Sequence, residues 1–325
     1  MDIFADLNPA LLSAGILIVA LLAEANLRWS DKSHPLTILK IFARALGNKA
    51  ADPTRSIGQQ RIAGIMAIFV LLTPLAILIF TIKWFAEYDW FFDAFFLFVA
   101  LKFQSVNIKS RQIIQQLKAD KRALARNTLS SLVLRETSNL SKAGIVKASM
   151  ETRILRFHYQ YLSVIFWYLL GGGIAALLYR CLYEMSQEWN LKIKQFAAFG
   201  RPAAWLMFVL QWLPVRLSTL FFTITLGLSG SWKAVKSLGG QVSSHSLILA
   251  VFAGALKCEL GGPAFYGIKK IRLPKCGTDT LPGIEDARKL GILMIQHGIL
   301  LCMLVFLAYT SAWFIFNSAA KSVTG

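Results

Sequence analysis

The chain has 325 residues, of which 56% are hydrophobic and only 16% charged, with a formal net charge of +18. Soluble domains carry about 25% charged residues, so this composition excludes an ordinary soluble globule and points to an all-α, polytopic membrane protein embedded in a lipid bilayer. The excess positive charge would suit a nucleic-acid binder, but it is parcelled into loops with few interleaved aromatics, which excludes that class.

In chain order, residues 9 to 27 form the first expected span, with Glu24 near its inner end. Asp2 and Asp6 precede it, unlike the basic n-region of a cleavable signal. From Arg28 to Arg61, seven basic residues stand against Asp31 and Asp52. Residues 62 to 82 are the clearest span, with Pro74 as a kink that neighbouring helices tolerate. The charge then reverses, with Glu87, Asp89 and Asp93 against Lys83. A third span, residues 84 to 103, opens with Trp84, Phe85, Trp90 and Phe91, an aromatic group suited to the interface.

From Lys102 to Arg156 there are twelve basic residues against Asp120, Glu136 and Glu151. Cytoplasmic loops are enriched in Lys and Arg. With the amino terminus outside, three spans place residues 102 to 159 in the cytoplasm, so hydropathy and charge agree. Ile113, Leu117 and Leu124, then Leu129, Leu132 and Val133, recur at helical spacing and predict two or three amphipathic helices on the inner face. The pattern breaks at 137 to 141. There Ser141 is placed to cap a helix carrying Ile145, Val146 and Met150.

Residues 160 to 183 are a fourth span, and Gly171-Gly172-Gly173 within it would allow close helix approach. Residues 203 to 227 are long enough to cross but contain Trp212-Leu213-Pro214-Val215-Arg216. A charge at mid-membrane depth is costly unless paired or hydrated, so either Arg216 faces a polar cavity or the segment is broken. Residues 246 to 260 are short for a crossing and are expected to be re-entrant or packed on the cytoplasmic helices, which leaves the side of 261 to 289 open. Residues 290 to 316 are the last span. The total is five or six spans in a single membrane domain over residues 1 to 325.

Several kinds of site find no support. There is no GxxxxGK[ST] phosphate cradle. His34, His158, His245 and His297 are widely spaced without a carboxylate at i+3 or i+4, so no metal site is expected. His297 reads as a core histidine. Cys181, Cys258, Cys276 and Cys302 have no CxxC spacing and read as buried thiols.

Arg135-Glu136-Thr137-Ser138 differs from these. Arg and hydroxyl donors at a helix break can bind an anionic or amide-rich ligand. The same block also reads as a capped loop held by an Arg135–Glu136 salt bridge, and both readings stay open. Gly261-Gly262-Pro263-Ala264-Phe265-Tyr266 would let backbone approach a ligand, or form a tight turn.

Taken as an ordered set, His34-Pro35, Arg135-Glu136-Thr137-Ser138-Asn139-Leu140, Glu151-Thr152, Leu170-Gly171-Gly172, Leu213-Pro214-Val215-Arg216-Leu217 and Leu260-Gly261-Gly262-Pro263 resemble the CobD/CbiB family. These are membrane enzymes of cobalamin biosynthesis, the adenosylcobinamide-phosphate synthases. The resemblance implies a multi-pass protein of the bacterial inner membrane that joins aminopropanol or its phosphate to a corrinoid carboxylate, a carbon–nitrogen ligation using ATP and magnesium. It places His34, Arg135, Glu136, Thr137, Ser138, Glu151, Thr152, Arg216, Gly261, Gly262, Pro263 and Tyr266 as ligand-binding candidates.

The departures from the family pattern matter as much. Beyond Glu151-Thr152 the family carries a Glu-Asn pair and then an Asp, where this chain has Leu155, Arg156 and Tyr159. Past the glycines it carries Asn and Asp, where this chain has Tyr183 and Ser186. Met207 and Phe208 stand for a paired Asp-Asp, and Ser243, Ser244 and Leu249 for a Ser-Pro-Asn element and a Glu. Magnesium requires oxygen ligands, and these exchanges remove them. No catalytic residue is therefore assigned. A similar loss marks the AmpE proteins, a related inner-membrane group linked to β-lactamase induction, which residues 161 to 167 and 212 to 217 also resemble. The alternative to an active ligase is thus a non-catalytic membrane sensor or scaffold. A transporter is a weaker third reading, since no inverted repeat is apparent. Self-association is left open.

Overall fold

Five helical stretches among the described residues are long and apolar enough to cross a membrane: Ile57–Phe85, Asp89–Lys118, Lys142–Glu188, Arg201–Leu226 and Ile284–Ser311. The computed structural model describes residues 9–27, 29–240, 242–266 and 269–324. Twelve helices are assigned among them: α1 (Pro9–Asn26), α2 (Pro35–Ala50), α3 (Ile57–Phe85), α4 (Asp89–Ala100), α5 (Gln104–Lys118), α6 (Arg122–Ser130), α7 (Lys142–Phe157), α8 (Ser163–Glu188), α9 (Arg201–Leu226), α10 (Leu228–Lys236), α11 (Ser244–Leu256) and α12 (Ile284–Thr324). A π-helical turn, His158–Leu162, joins α7 to α8, and a two-stranded sheet, β1 (Leu260–Tyr266) with β2 (Lys269–Cys276), lies between α11 and α12. The protein is the helical polytopic membrane protein that composition demands, with one small antiparallel hairpin that hydropathy did not announce.

Two hydrophobic clusters divide it. One is built from α1 to α4, α8 and the first half of α9. The other gathers α5 to α7, the end of α9, α10, α11, the hairpin and the start of α12. Tyr159 and Tyr161 pack against both. Phe69, Leu78, Phe208, Leu220, Ile299 and Leu307 are more than half exposed. In a spanning protein that is the surface offered to lipid chains.

The expected fourth span is helical but not straight. Inside α8, Gly171 (φ −145°, ψ 23°) and Gly172 (φ 67°, ψ −165°) leave helical geometry. In a continuous helix, residues 12 and 24 apart would lie about 18 and 36 Å apart along the axis. Yet the rings of Trp167 and Tyr179 are 6.3 Å apart and those of Tyr159 and Tyr183 are 6.2 Å apart. Tyr179 also donates its hydroxyl to the Tyr159 carbonyl at 2.9 Å. Partners placed symmetrically about the glycines require the chain to double back there. A Cβ on Gly173 would meet the Asp93 carbonyl at 2.6 Å, so the close approach expected of the glycines is made against α4. Asp93 accepts from the Gly173 amide at 3.0 Å and pairs with Lys83 at 2.7 Å.

The returning leg ends among basic residues of α2. Glu184 lies 2.9 Å from Lys40 and 2.6 Å from Arg180, and Glu188 lies 3.0 Å from Arg44. The Trp189 indole donates to the Ala43 carbonyl at 2.8 Å. The amphipathic helices expected after residue 102 are α5, α6 and α7, and the Ser141 hydroxyl caps α7 by accepting from the Gly144 amide at 3.1 Å. At its other end α5 begins on Glu24, whose carboxylate accepts from the Phe103 amide at 2.8 Å and the Gln104 amide at 2.5 Å.

Residues 201 to 226 form one uninterrupted helix through Pro214, so the break proposed near Arg216 does not occur. Helix α11 has 13 residues, about 20 Å at 1.5 Å per residue, too short for a core of about 30 Å. It packs on α7, α9, α10 and the hairpin instead.

Candidate functional site

The loop before α7, the α7 helix, the end of α8 and the hairpin enclose a polar cleft of about 280 Å³. Its centre is Glu151. One oxygen of that buried carboxylate is 3.0 Å from the Arg135 guanidinium, and the other accepts from the Gly261 amide at 2.8 Å. Arg135 therefore pairs across the cleft and not with its neighbour, which corrects the Arg135–Glu136 alternative. Glu136 is exposed and accepts from the amides of Thr137 and Ser138 at 3.1 Å each. The Ser138 and Thr137 amides hold its carboxyl below the usual range.

The hairpin carries this arrangement. Gly261 (φ 78°) and Gly262 (φ 90°) form a bulge where the register slips between Gly261 and Pro263. A Cβ on Gly261 would sit 2.2 Å from the Pro274 carbonyl, so only glycine fits opposite β2. Such bulges re-aim backbone groups, and here the freed amide meets Glu151. Two further ties fix the hairpin: the Glu136 amide donates to the Phe265 carbonyl at 2.8 Å, and Lys147 and Lys275 clamp Glu259 at 2.6 and 2.8 Å. Burial opposes ionisation of Glu259, but its bonds to the two lysines outweigh it and lower its pKa.

Of the candidates, Arg135, Glu151, Thr152 and Tyr266 line the cleft, and Gly261 borders it through its amide. The others stand elsewhere. His34 accepts from the Leu36 amide at 3.2 Å as the cap of α2, with its ring 4.9 Å from that of Trp29. Arg216 stacks 4.1 Å over Trp212 and donates to its carbonyl. The Thr137 hydroxyl donates to the Arg126 carbonyl at 3.3 Å, and Ser138 and Pro263 are exposed. Gly262 faces Lys147. His297 has its Nδ1 2.8 Å from the Leu293 carbonyl.

Reading for motifs missed Gln187, Asn190, Lys192 and His245, which complete the wall. Lys192 lies 2.8 Å from the Tyr266 hydroxyl and 4.1 Å from its ring centre. Burial, with Lys192 and Arg135 nearby, lowers the His245 pKa to about 4, so the imidazole is neutral. The signal that existed was negative. Leu155, Arg156, Tyr159 and Tyr183, four positions that the sequence led us to expect as departures from the family pattern, all line this same cleft.

The donor set suits an anion or an amide-rich molecule. Arg135, Arg156 and Lys192 confront a single carboxylate, Glu151, already engaged twice. Among the described residues no group of three His, Cys, Asp or Glu side chains could hold a metal ion. The cleft does not fit a magnesium–nucleotide complex, which needs free oxygen ligands.

The family model described as CobD/Cbib protein matches residues 17–294. The chain is 26% identical over 302 residues to a cobalamin biosynthesis protein CobD of Chromobacterium violaceum, covering 91% of this chain and 96% of that protein. A protein of the same name from Stutzerimonas stutzeri is 25% identical over 296 residues, covering 89% and 96%. A cobalamin biosynthesis protein CbiB of Salmonella typhi is 28% identical over 205 residues, covering 61% and 64%. No solved structure matches.

Proposed function

The chain belongs to the CobD/CbiB family, and on that premise we propose that it serves cobalamin biosynthesis in the bacterial inner membrane by holding the carboxamide-bearing edge of a corrinoid at the Arg135–Glu151 cleft without performing the ligation. One observation carries this reading: Leu155, Arg156, Tyr159 and Tyr183 converge with Arg135 and Glu151 on one pocket. A site that would grip magnesium and a nucleotide needs carboxylates there. The pocket offers instead guanidinium, ammonium, phenol and amide donors, which match the carboxamides and anionic groups of a corrinoid. If the ligation were retained, the protein would be an adenosylcobinamide-phosphate synthase requiring ATP and magnesium.

The test is expression in a bacterium lacking its own adenosylcobinamide-phosphate synthase, with corrinoid supplied. The expected outcome is no cobalamin-dependent growth, together with corrinoid colour retained through purification and lost in Arg135→Gln. Robust growth rescue would overturn the non-catalytic reading. Colourless protein would favour the AmpE-like sensor or scaffold reading, in which the inherited cleft takes another ligand or a partner.

A further inference from the structure

We propose that a second site, on the far side of α7, binds one anionic phospholipid, its phosphate on Arg153 and an acyl chain between α1 and α12. Two cavities meet there. The first, about 300 Å³, lies between α5, α7 and the start of α12 and is walled by Ser110, Arg111, Lys118, Arg153 and Arg288. No carboxylate lines it. The second, about 700 Å³ and overwhelmingly apolar, runs between α1, α5 and α12. Arg153 and Ile295 line both.

Arg153 is 6% exposed. It has no salt bridge among the described residues. Among the described residues its single hydrogen bond runs from Nε to Asn107 Oδ1 at 2.9 Å, leaving both terminal nitrogens for a ligand. A Cβ on Gly291 would stand 2.9 Å from one of those nitrogens, so a glycine on α12 makes room for the guanidinium. Beside it, the Ser110 hydroxyl is buried without a partner. Buried polar groups are almost always satisfied, and an uncompensated buried cation is costlier still. Arg153 lines this cavity, and its unused donors suit phosphate oxygens, which Arg recognises with a two-pronged donor pair.

The second cavity decides the rest of the ligand. Its lip includes Leu22, Ile299 and Leu307, each more than half exposed on the apolar face of the protein. Its volume falls within the range of small-molecule pockets. Its one acid, Glu24, already accepts from two amides at the start of α5. A cationic recess opening into a lipid-facing slot is the arrangement that holds an anionic head group between spanning helices.

Native mass spectrometry of the full-length protein in detergent tests this, with phosphatidylglycerol, phosphatidylcholine and inorganic phosphate as probes. One phosphatidylglycerol per protein is expected, with phosphatidylcholine and free phosphate far weaker. Arg153→Gln should lose it but stands to disturb folding. The combined surface variant Arg111→Gln, Lys118→Gln, Arg288→Gln should weaken it by about tenfold or more, and Ile295→Trp should expel it. Equal binding of phosphatidylcholine, full occupancy by inorganic phosphate alone, or undiminished binding in the surface variant would each overturn the proposal.

Discussion

Arg135 and Glu151 are separated by sixteen positions in the chain, yet they form the buried pair on which the cleft is built. Breaking a buried pair from one side typically costs about 3–5 kcal/mol, while replacing both charges with apolar residues is often neutral. Arg135→Ala should therefore lower the thermal unfolding temperature in detergent sharply, and Arg135→Met with Glu151→Gln, which keeps an acceptor for the Gly261 amide, should recover most of the loss. His245 gives a pH signature. Its folded pKa of about 4 lies below the ordinary 6.5, so the unfolded chain takes up its proton first. Stability then falls as pH drops from about 6.5 towards about 4, and His245→Asn should flatten that part of a stability–pH profile; an unchanged slope would refute a neutral His245. At this scale the sequence was only partly readable. It identified Arg135 and Glu151 separately, but adjacency suggested Glu136 as the partner. Arg135 lies at a bend in an irregular loop, where no local period tells which side chain faces Glu151.

The doubled-back α8 is the element that composition concealed. A hydropathy window sums apolarity along the chain and carries no sense of direction, so two antiparallel legs read as one rod. The glycine triplet was visible and its packing role was anticipated, yet neither sets the backbone angle. Gly172 holds a conformation available essentially only to glycine, and such positions cost other residues about 1–3 kcal/mol. Gly172→Ala and Gly173→Ala should each destabilise the protein by roughly that amount, seen as lower thermal stability and weaker corrinoid retention together. The β-hairpin left a faint trace: Lys270, Ile271, Arg272 and Leu273 alternate with period two, but they follow glycines that also fit a turn. Capping was plainly legible. Ser141→Ala removes the bond to the Gly144 amide and should cost about 1 kcal/mol.

For the molecule as a whole, the basic loops, the five long apolar stretches and the family were all evident from the residues, because lipid imposes constraints that composition records directly. The sides of the membrane can be measured. With Cys302 replaced by Ser, Glu87→Cys should react with an impermeant thiol reagent in intact cells and Lys121→Cys only after permeabilisation. Labelling of both without permeabilisation would invert or abolish the proposed orientation. The reversal at Gly171 and Gly172 also has a consequence for biogenesis. The leg from Gly173 to Glu188 buries Arg180 and Glu184 at 1% and 3% exposure, and it would be a poor substrate for the insertion machinery by itself. It can enter the bilayer only beside the more apolar leg that precedes it. Commitment of this second leg should therefore wait until the first is already in place, so that the two enter in the order in which they are synthesised.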